Sequence, residues 1–261
     1  MIALIGHGYV GQHIANELKL QGIPFEWYDH KRRIPSSMTA IINAAGYTGV
    51  PNVDACESHK QDCIQGNVVF PMLLERNYPY TPIIHITSGC VYTGYKDGGW
   101  TEDDTPNFNF NNGSFYSASK ALFQSLINPN WKSYLLRIRL PFGDEHNPKN
   151  YLTKLTKYDK LVDFENSISY VNDVAATAVY FARYLPKPGI YNVCNPGTIT
   201  TKQVADMMGL QKEWYTEEEF NQAVVAPRSN CNMSSDKLNR VFPIQSAESA
   251  LKQAIGRLNN A

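Results

Sequence analysis

Gly6-His7-Gly8-Tyr9-Val10-Gly11 comes directly after the apolar run Met1 to Ile5 and opens into Tyr9 to Leu20, where Val10, Ile14 and Leu18 recur at the four-residue spacing of a buried helical stripe. Strand, glycine turn and helix in this order leave few folds open to the chain. Gly6 suits a tight turn, Gly8 lets a pyrophosphate approach the backbone, and Gly11 lets the helix pack on the strand, with Tyr9 and Val10 completing the expected cofactor contact. A lone glycine motif also recurs by chance in ordinary loops, so its weight depends on the rest of the chain.

The rest of the chain alternates. Pro24 to Tyr28, Ala40 to Asn43, Pro82 to Thr87 and Ser133 to Leu140 read as further strands with helical patterns between them. This predicts an α/β chain with a Rossmann-type, doubly wound parallel sheet covered on both faces. Asp29 to Thr39 is short and contains Pro35, which predicts a loop in place of a helix. Val171 to Tyr184 reads as a helix and Gly189 to Val193 as a strand returning to the sheet. Beyond Asn195 the character changes: Thr200-Thr201-Lys202-Gln203 has the form of a capping box, and Ser246 to Leu258 has the period of another helix. The expected division is a cofactor-binding domain over 1–194 and a small C-terminal substrate-binding lobe over 195–261, with the loop 141–163 contributing to the substrate site.

The bulk properties exclude several function classes. The 261 residues carry 24 basic and 24 acidic side chains, which gives no field to draw nucleic acid or a membrane surface. Lys31-Arg32-Arg33 is the one basic cluster, sized for a local anion. The five cysteines are odd in number and lack CxxC spacing, so neither a disulfide framework nor a metal site is expected. Strand-like sequence from Ile2 leaves no room for a signal peptide, and runs such as Val174 to Ala182 fall far short of a membrane span. The expectation is a reducing, cytoplasmic compartment.

The chemistry lies further along. Thr87-Ser88-Gly89-Cys90 ends a strand, and Tyr116-Ser-Ala-Ser-Lys120 opens a helix after it. A phenol with an unperturbed pKa of about 10 is a reluctant donor at neutral pH, but a lysine one helical turn away makes its ionised form accessible. Ser88 would complete a clamp on a carbonyl oxygen, so the order of motifs points to hydride transfer. Asp29 stands where an acid holds the adenosine ribose of NADH, whereas Lys31, Arg32 and Arg33 suit a 2'-phosphate; the triplet favours NADPH and leaves NADH open. Asn43, Ala44 and Ala45 would lie along the cofactor. Cys90 reads either as a small buried hydrophobe or, two residues past Ser88 on an extended segment, as a second reactive group on the same side.

The stretch Asn43 to Lys60, Glu102 to Phe108, Gly113-Ser114-Phe115-Tyr116-Ser117, Asn147 to Thr156, and Ala226-Pro227-Arg228-Ser229-Asn230 resemble the bifunctional UDP(dTDP)-4-keto-6-deoxyglucose 3,5-epimerase/4-reductases of the extended short-chain dehydrogenase/reductase superfamily, as in the C-terminal domain of plant UDP-rhamnose synthases. The resemblance runs nearly end to end. It implies epimerisation of UDP-4-keto-6-deoxy-D-glucose at C3 and C5 and NADPH reduction at C4 to UDP-L-rhamnose, with the dTDP sugar as a second substrate. It implies that Tyr116 is the acid for O4, that Lys120 tunes it and holds the nicotinamide ribose, and that Ser88 binds O4. Similarity to GDP-fucose synthases implies a catalytic Cys90 and a second acid/base group at Lys154. Thr48, Asn52, Asn150, Arg228 and Asn230 fall in motifs on the nucleotide-sugar side, where the Arg228 fork suits a diphosphate. A nucleotide-glucose 4,6-dehydratase is the implied pathway partner, and a homodimer is compatible with all of this. Two rivals stay open: a dTDP-4-dehydrorhamnose reductase without epimerase activity, and a non-catalytic regulatory subunit, which an intact Ser88/Tyr116/Lys120 set disfavours.

Overall fold

The computed structural model describes residues 1–29, 31–128 and 131–259. Its central sheet is parallel and built from β1 (Ile2–Ile5), β2 (Phe25–Tyr28), β3 (Ala40–Asn43), β4 (Ile83–Ser88), β5 (Ser133–Ile138) and β6 (Gly189–Asn192), in the order β6-β5-β4-β3-β1-β2. Strand order runs outward both ways from the boundary of β1 and β3. The turns leaving those two strands therefore part there and open a crevice at their carboxyl ends, the position at which open α/β sheets bind ligands.

Successive side chains of a strand point to opposite faces, and the two faces have separate cores. Ile2, Leu4 and Ile42 pack with Ile14 and Leu18 of helix α1 (Tyr9–Leu20) and with buried residues of the later helix Val171–Tyr184, among them Val174, Ala178 and Phe181. Ala3, Ile5, Ile41 and Ile83 pack with Leu74, Ile34 and Met38 on the other face. Full burial of each large aliphatic side chain contributes about 2 kcal/mol, and because both faces are covered the strands Ile2–Ile5 and Ala40–Asn43 are buried along their whole length.

Among its described residues the segment after β2 carries no helix, as its length and Pro35 predict. Ile34 and Met38 plug the sheet face, and an open cleft of about 1710 Å³ runs beside the segment from Gly6 past Asp29 to Tyr80. His30, within the predicted basic stretch, lies outside the described residues.

A second core toward the C-terminus is formed by Phe142, Leu152, Leu155 and Ile168 with Val204, Leu251, Ala254 and Leu258. Residues before and after Asn195 thus share it. The expected loop 141–163 needs a correction, because it contains a helix, Tyr151–Lys157. The Asn150 side chain caps that helix by accepting from Leu152 N at 3.0 Å, and Leu152 and Leu155 share its buried face. The capping box at Thr200 and Gln203 is formed. Among the described residues, no helix is long and apolar enough to cross a membrane.

Candidate active site

Each glycine of the first turn has a separate task. Gly6 adopts φ +98°, and a Cβ there would lie 2.4 Å from Ala45 N. At Gly11 a Cβ would fall 1.8 Å from the Gly6 carbonyl oxygen, whereas Gly8 faces open space, free for a ligand. Helix α1 starts after Gly8 with no side-chain cap, so its first N–H groups face the crevice without intrahelical acceptors. Val10 packs into the core. The Tyr9 hydroxyl turns away to a buried position against Gly143, where burial and the nearby Glu145 and Asp144 push it well above the usual phenol range. Its backbone, not its ring, is the part that serves the crevice.

The turn after β3 is held from behind. Asn43 Oδ1 accepts from Ala45 N at 3.1 Å, and its Nδ2 donates to His85 Nδ1 at 3.0 Å. That bond assigns the ring proton to Nε2, which donates to Glu75 Oε1 at 2.9 Å. All three side chains are buried. Sequence reasoning missed this relay, since His85 and Glu75 read as parts of an ordinary strand and helix.

Asp29 Oδ1 accepts from Lys31 N at 2.8 Å and from Arg32 N at 3.1 Å, which closes a turn. Arg32 pairs with Glu26 at 2.5 Å and lies 4.6 Å over the Tyr28 ring. Lys31, Arg32 and Arg33 are all exposed on the wall of the cleft.

Ser88 ends β4, and its Oγ accepts from Cys90 N at 3.0 Å. The Ser88 hydroxyl also lies beside the Tyr116 phenol, where it favours the ionised form. Tyr116 sits in the first turn of the helix Phe115–Leu126, fixed by the Ser114 cap on Ser117 N at 3.1 Å and by Glu57, whose carboxylate accepts from Phe115 N at 2.7 Å. Lys120 lies one turn later, 6% exposed, with Nζ 6.0 Å from the centre of the Tyr116 ring. A Cβ on Gly46 would lie 3.0 Å from that nitrogen, so the glycine keeps the approach to it open.

Burial dominates the electrostatics of the phenol and the lysine. Burial, then the Cys90 thiol, push Tyr116 well above its usual range, and the Ser88 hydrogen bond opposes them. Burial also pulls the Lys120 ammonium down to about 8, against the Cys63 and Cys56 thiols. The pair is thus a protonated phenol beside a weakened cation, the charge state of a proton donor. Asn67, fully buried in the π-helical turn Gln65–Val69, backs the site: it accepts from Tyr47 N at 2.9 Å and donates to Tyr47 O at 2.9 Å and to Ser119 Oγ at 3.1 Å.

Cys90 lies in a turn, not on the extended segment expected, because Ser88 captures its N–H. The thiol still reaches the site: it accepts from Arg139 Nη1 at 3.2 Å and acts electrostatically on both Tyr116 and Lys154. Lys154 is half-buried on Tyr151–Lys157, and its ammonium makes no hydrogen bond or ion pair with a described residue. Burial, then Lys149, pull it below the usual lysine range, with Cys90 opposing. Cys90 thus acts on the Tyr116 phenol and on the Lys154 ammonium alike, while Ser88 and Lys120 flank the phenol.

Residues 31–259 match the RmlD substrate binding domain. The chain belongs to that family. An Arabidopsis thaliana trifunctional UDP-glucose 4,6-dehydratase/UDP-4-keto-6-deoxy-D-glucose 3,5-epimerase/UDP-4-keto-L-rhamnose-reductase is 33% identical over 95% of this chain and 40% of its own length. A bifunctional dTDP-4-dehydrorhamnose 3,5-epimerase/dTDP-4-dehydrorhamnose reductase of the same plant is 33% identical over 90% of this chain and 85% of its own. The chain thus spans about two fifths of the trifunctional relative and most of the bifunctional one. In fold it is similar to the L780 UDP-rhamnose synthase of Acanthamoeba polyphaga mimivirus, with TM-score 0.89 at 22% identity over 99% of both chains.

The expected substrate residues of this RmlD-type chain divide. Asn150 is a correction: it is fully buried, and its amide is spent on Leu152 N, Gly143 N, Gly143 O and Glu145 O, so it shapes the 143–150 loop and does not face a sugar. Arg228 grips Asp54 with both forks, at 2.7 and 2.8 Å, and the Arg228 guanidinium holds that carboxyl below its usual range. Its fork is engaged with protein rather than waiting for a diphosphate. Asn52 Oδ1 accepts from Asp54 N at 2.8 Å, so it orders the loop that carries this pair. Thr48 is exposed and accepts from Lys149 Nζ at 3.2 Å. The Asn230 side chain accepts from Asn166 at 3.3 Å.

Proposed function

We propose that this chain epimerises UDP-4-keto-6-deoxy-D-glucose at C3 and C5 and reduces C4 with NADPH to give UDP-L-rhamnose, accepting the dTDP sugar as well. The observation that carries the reading is a second pair of proton-handling groups beside the Ser88, Tyr116 and Lys120 set: Cys90, held by Arg139, acts on both Tyr116 and Lys154. A reductase needs only Ser88, Tyr116 and Lys120. The names of the two plant relatives, which pair epimerase with reductase, support the fuller activity.

Both reactions draw on one electrostatic device. Protons on C3 and C5 are acidic because each carbon neighbours the C4 ketone, and removing either places charge on O4. Donors aimed at O4 stabilise that enolate and also the alkoxide formed by reduction. Ser88 and Tyr116 are those donors. Tyr116 then gives its proton to O4, and Lys120 supports the phenolate left behind.

The cofactor fits the residues present. The open face of Gly8, the free N–H groups of α1 and the small side chains of Ala44 and Ala45 suit a dinucleotide, and the glycine at 46 leaves Lys120 accessible to a ribose. Bound NADPH supplies the hydride. Relatives in fold are crystallised with NADP, with NADPH and with NAD. Because Arg32 already pairs with Glu26, Arg33 with Lys31 is the first candidate for the 2'-phosphate, with Arg32 beside them on the same cleft wall. Arg33→Ala is expected to weaken NADPH about tenfold and leave NADH unchanged, the loss of one charge-assisted contact. Equal losses for both cofactors in a titration of cofactor fluorescence would return the assignment to Asp29 and NADH. A nucleotide-glucose 4,6-dehydratase would supply the ketosugar, an activity named in the trifunctional relative.

The deciding experiment is incubation with UDP- and dTDP-4-keto-6-deoxyglucose and either reduced cofactor, with the product identified by NMR. Rhamnose configuration at C3 and C5 is the expected result. A product reduced at C4 but uninverted would reject the epimerase half and keep the reductase.

A further inference from the structure

Two arginines stand at alternate positions where β5 ends, Arg137 and Arg139, each 1% exposed. Arg137 is scaffolding: it donates to Gln124 Oε1 and to the Tyr92 hydroxyl, both at 2.8 Å. Arg139 has a different environment. Its Nε donates to Asn166 Oδ1 at 3.2 Å, its Nη2 to Asn166 Oδ1 and the Ser229 carbonyl, and its Nη1 to Ser229 Oγ at 2.9 Å and to Cys90 Sγ at 3.2 Å. No carboxylate is among these partners. Neutral dipoles fix the fork and leave its charge uncompensated, a costly state for a buried cation. Among the described residues, the one ionisable group in hydrogen-bond contact with it is Cys90. Cys231 and Cys194, the other thiols acting on Arg139, are sealed and pushed up by burial, whereas Cys90 is open on one side.

We propose that Arg139 is the positioning residue for Cys90, fixing the sulfur toward the ring carbons and stabilising the charge that sulfur carries during proton exchange. This rests on the reading of Cys90 as an epimerase acid/base. When the thiolate takes a proton from C3 or C5, the C–H electron pair moves into the ring to form the O4 enolate, and an S–H bond forms. When the thiol returns a proton, the S–H pair stays on sulfur, a C–H bond forms, and O4 becomes a ketone again. Lys154 handles the proton on the opposite face, and solvent resets both groups. Sulfur is anionic at one end of every such step, beside a guanidinium that is itself too enclosed to touch the sugar. The same guanidinium anchors Ser229, so the loop carrying Arg228 and Asn230 is referenced to the thiol.

The test is deuterium wash-in at C3 and C5 of the ketosugar in heavy water without reduced cofactor. Arg139→Gln keeps polar contacts but removes the charge, and is expected to slow wash-in about a hundredfold while reduction of a sugar already inverted at both carbons stays within about twofold. Arg139→Lys should recover part of the wash-in. Equal loss of wash-in and reduction would mark Arg139 as packing alone and overturn the proposal. So would wild-type wash-in in Arg139→Gln alongside its loss in Cys90→Ala, which leaves the Cys90 reading standing. Undiminished wash-in in Cys90→Ala removes that reading, and this proposal with it. Should Arg139→Gln fail to fold, the wild-type protein decides: alkylation of Cys90 by iodoacetamide at neutral pH, located by mass spectrometry, is expected to run about tenfold faster in the folded than in the urea-unfolded chain. An equal or slower rate overturns the proposal.

Discussion

Tyr116→Phe is expected to lose roughly a thousandfold in the rate of C4 reduction at saturating NADPH, within the range that general acid catalysis supplies. The phenol rests protonated because burial and Cys90 outweigh the Ser88 hydrogen bond, so the proton that O4 needs is held in place before hydride arrives. The substitution deletes that proton and little else. The helix is capped by Ser114 and Glu57 and not by the phenol, and the Tyr9-to-Gly11 turn is remote in sequence. Cofactor affinity and fold should persist, which places the loss in kcat. Single-turnover absorbance decay of NADPH reads it directly. Turnover near the wild-type rate would remove Tyr116 from the reaction and leave Lys120 buried without a task.

The elements legible in the sequence are those whose signals are local. Helix α1 is Tyr9–Leu20 and the later helix is Val171–Tyr184, with the bounds expected, because stripes of buried residues three and four apart need no distant partner. The glycine turn is legible for the same reason: positive φ at Gly6 and the close approach of Gly11 to Gly6 are enforced within six residues. Side-chain duties that depend on the far chain are not. Asp54 and Arg228 are 174 positions apart, and Arg139 and Ser229 are 90, so no spacing rule could show that the Arg228 fork is engaged. Burial is equally hidden. A lysine four residues from a tyrosine predicts support for the phenolate, but does not show that enclosure raises the phenol and lowers the ammonium. Arg137-Ile138-Arg139 carries a usable signal, since two arginines inside an apolar strand demand buried partners.

Cys90→Ala is expected to lose nearly all deuterium wash-in at C3 and C5, roughly a hundredfold or more, while a ketosugar already inverted at both carbons is reduced at close to the wild-type rate. The two outcomes separate because they draw on different groups. Inversion requires a proton to leave one face of the ring and another to arrive on the opposite face, so a group besides Tyr116 must reach the carbons. The turn after β4 places the Cys90 sulfur against Arg139 and within electrostatic reach of Tyr116 and Lys154. Reduction calls on Ser88, Tyr116 and Lys120, none of which is altered. Arg139 loses its sulfur contact in this variant but keeps Asn166 and Ser229, so the fork should hold its place. The backbone bond from Cys90 N to Ser88 Oγ is also independent of the side chain, and it keeps the O4 clamp intact. Wash-in measured by NMR of the recovered sugar gives C3 and C5 separately. Loss at both carbons assigns one thiol to both inversions; loss at one would divide the carbons between Cys90 and Lys154. Exchange at the wild-type rate at both carbons would show that the sulfur takes no part, and the chain would then be read as a reductase that receives sugar already inverted.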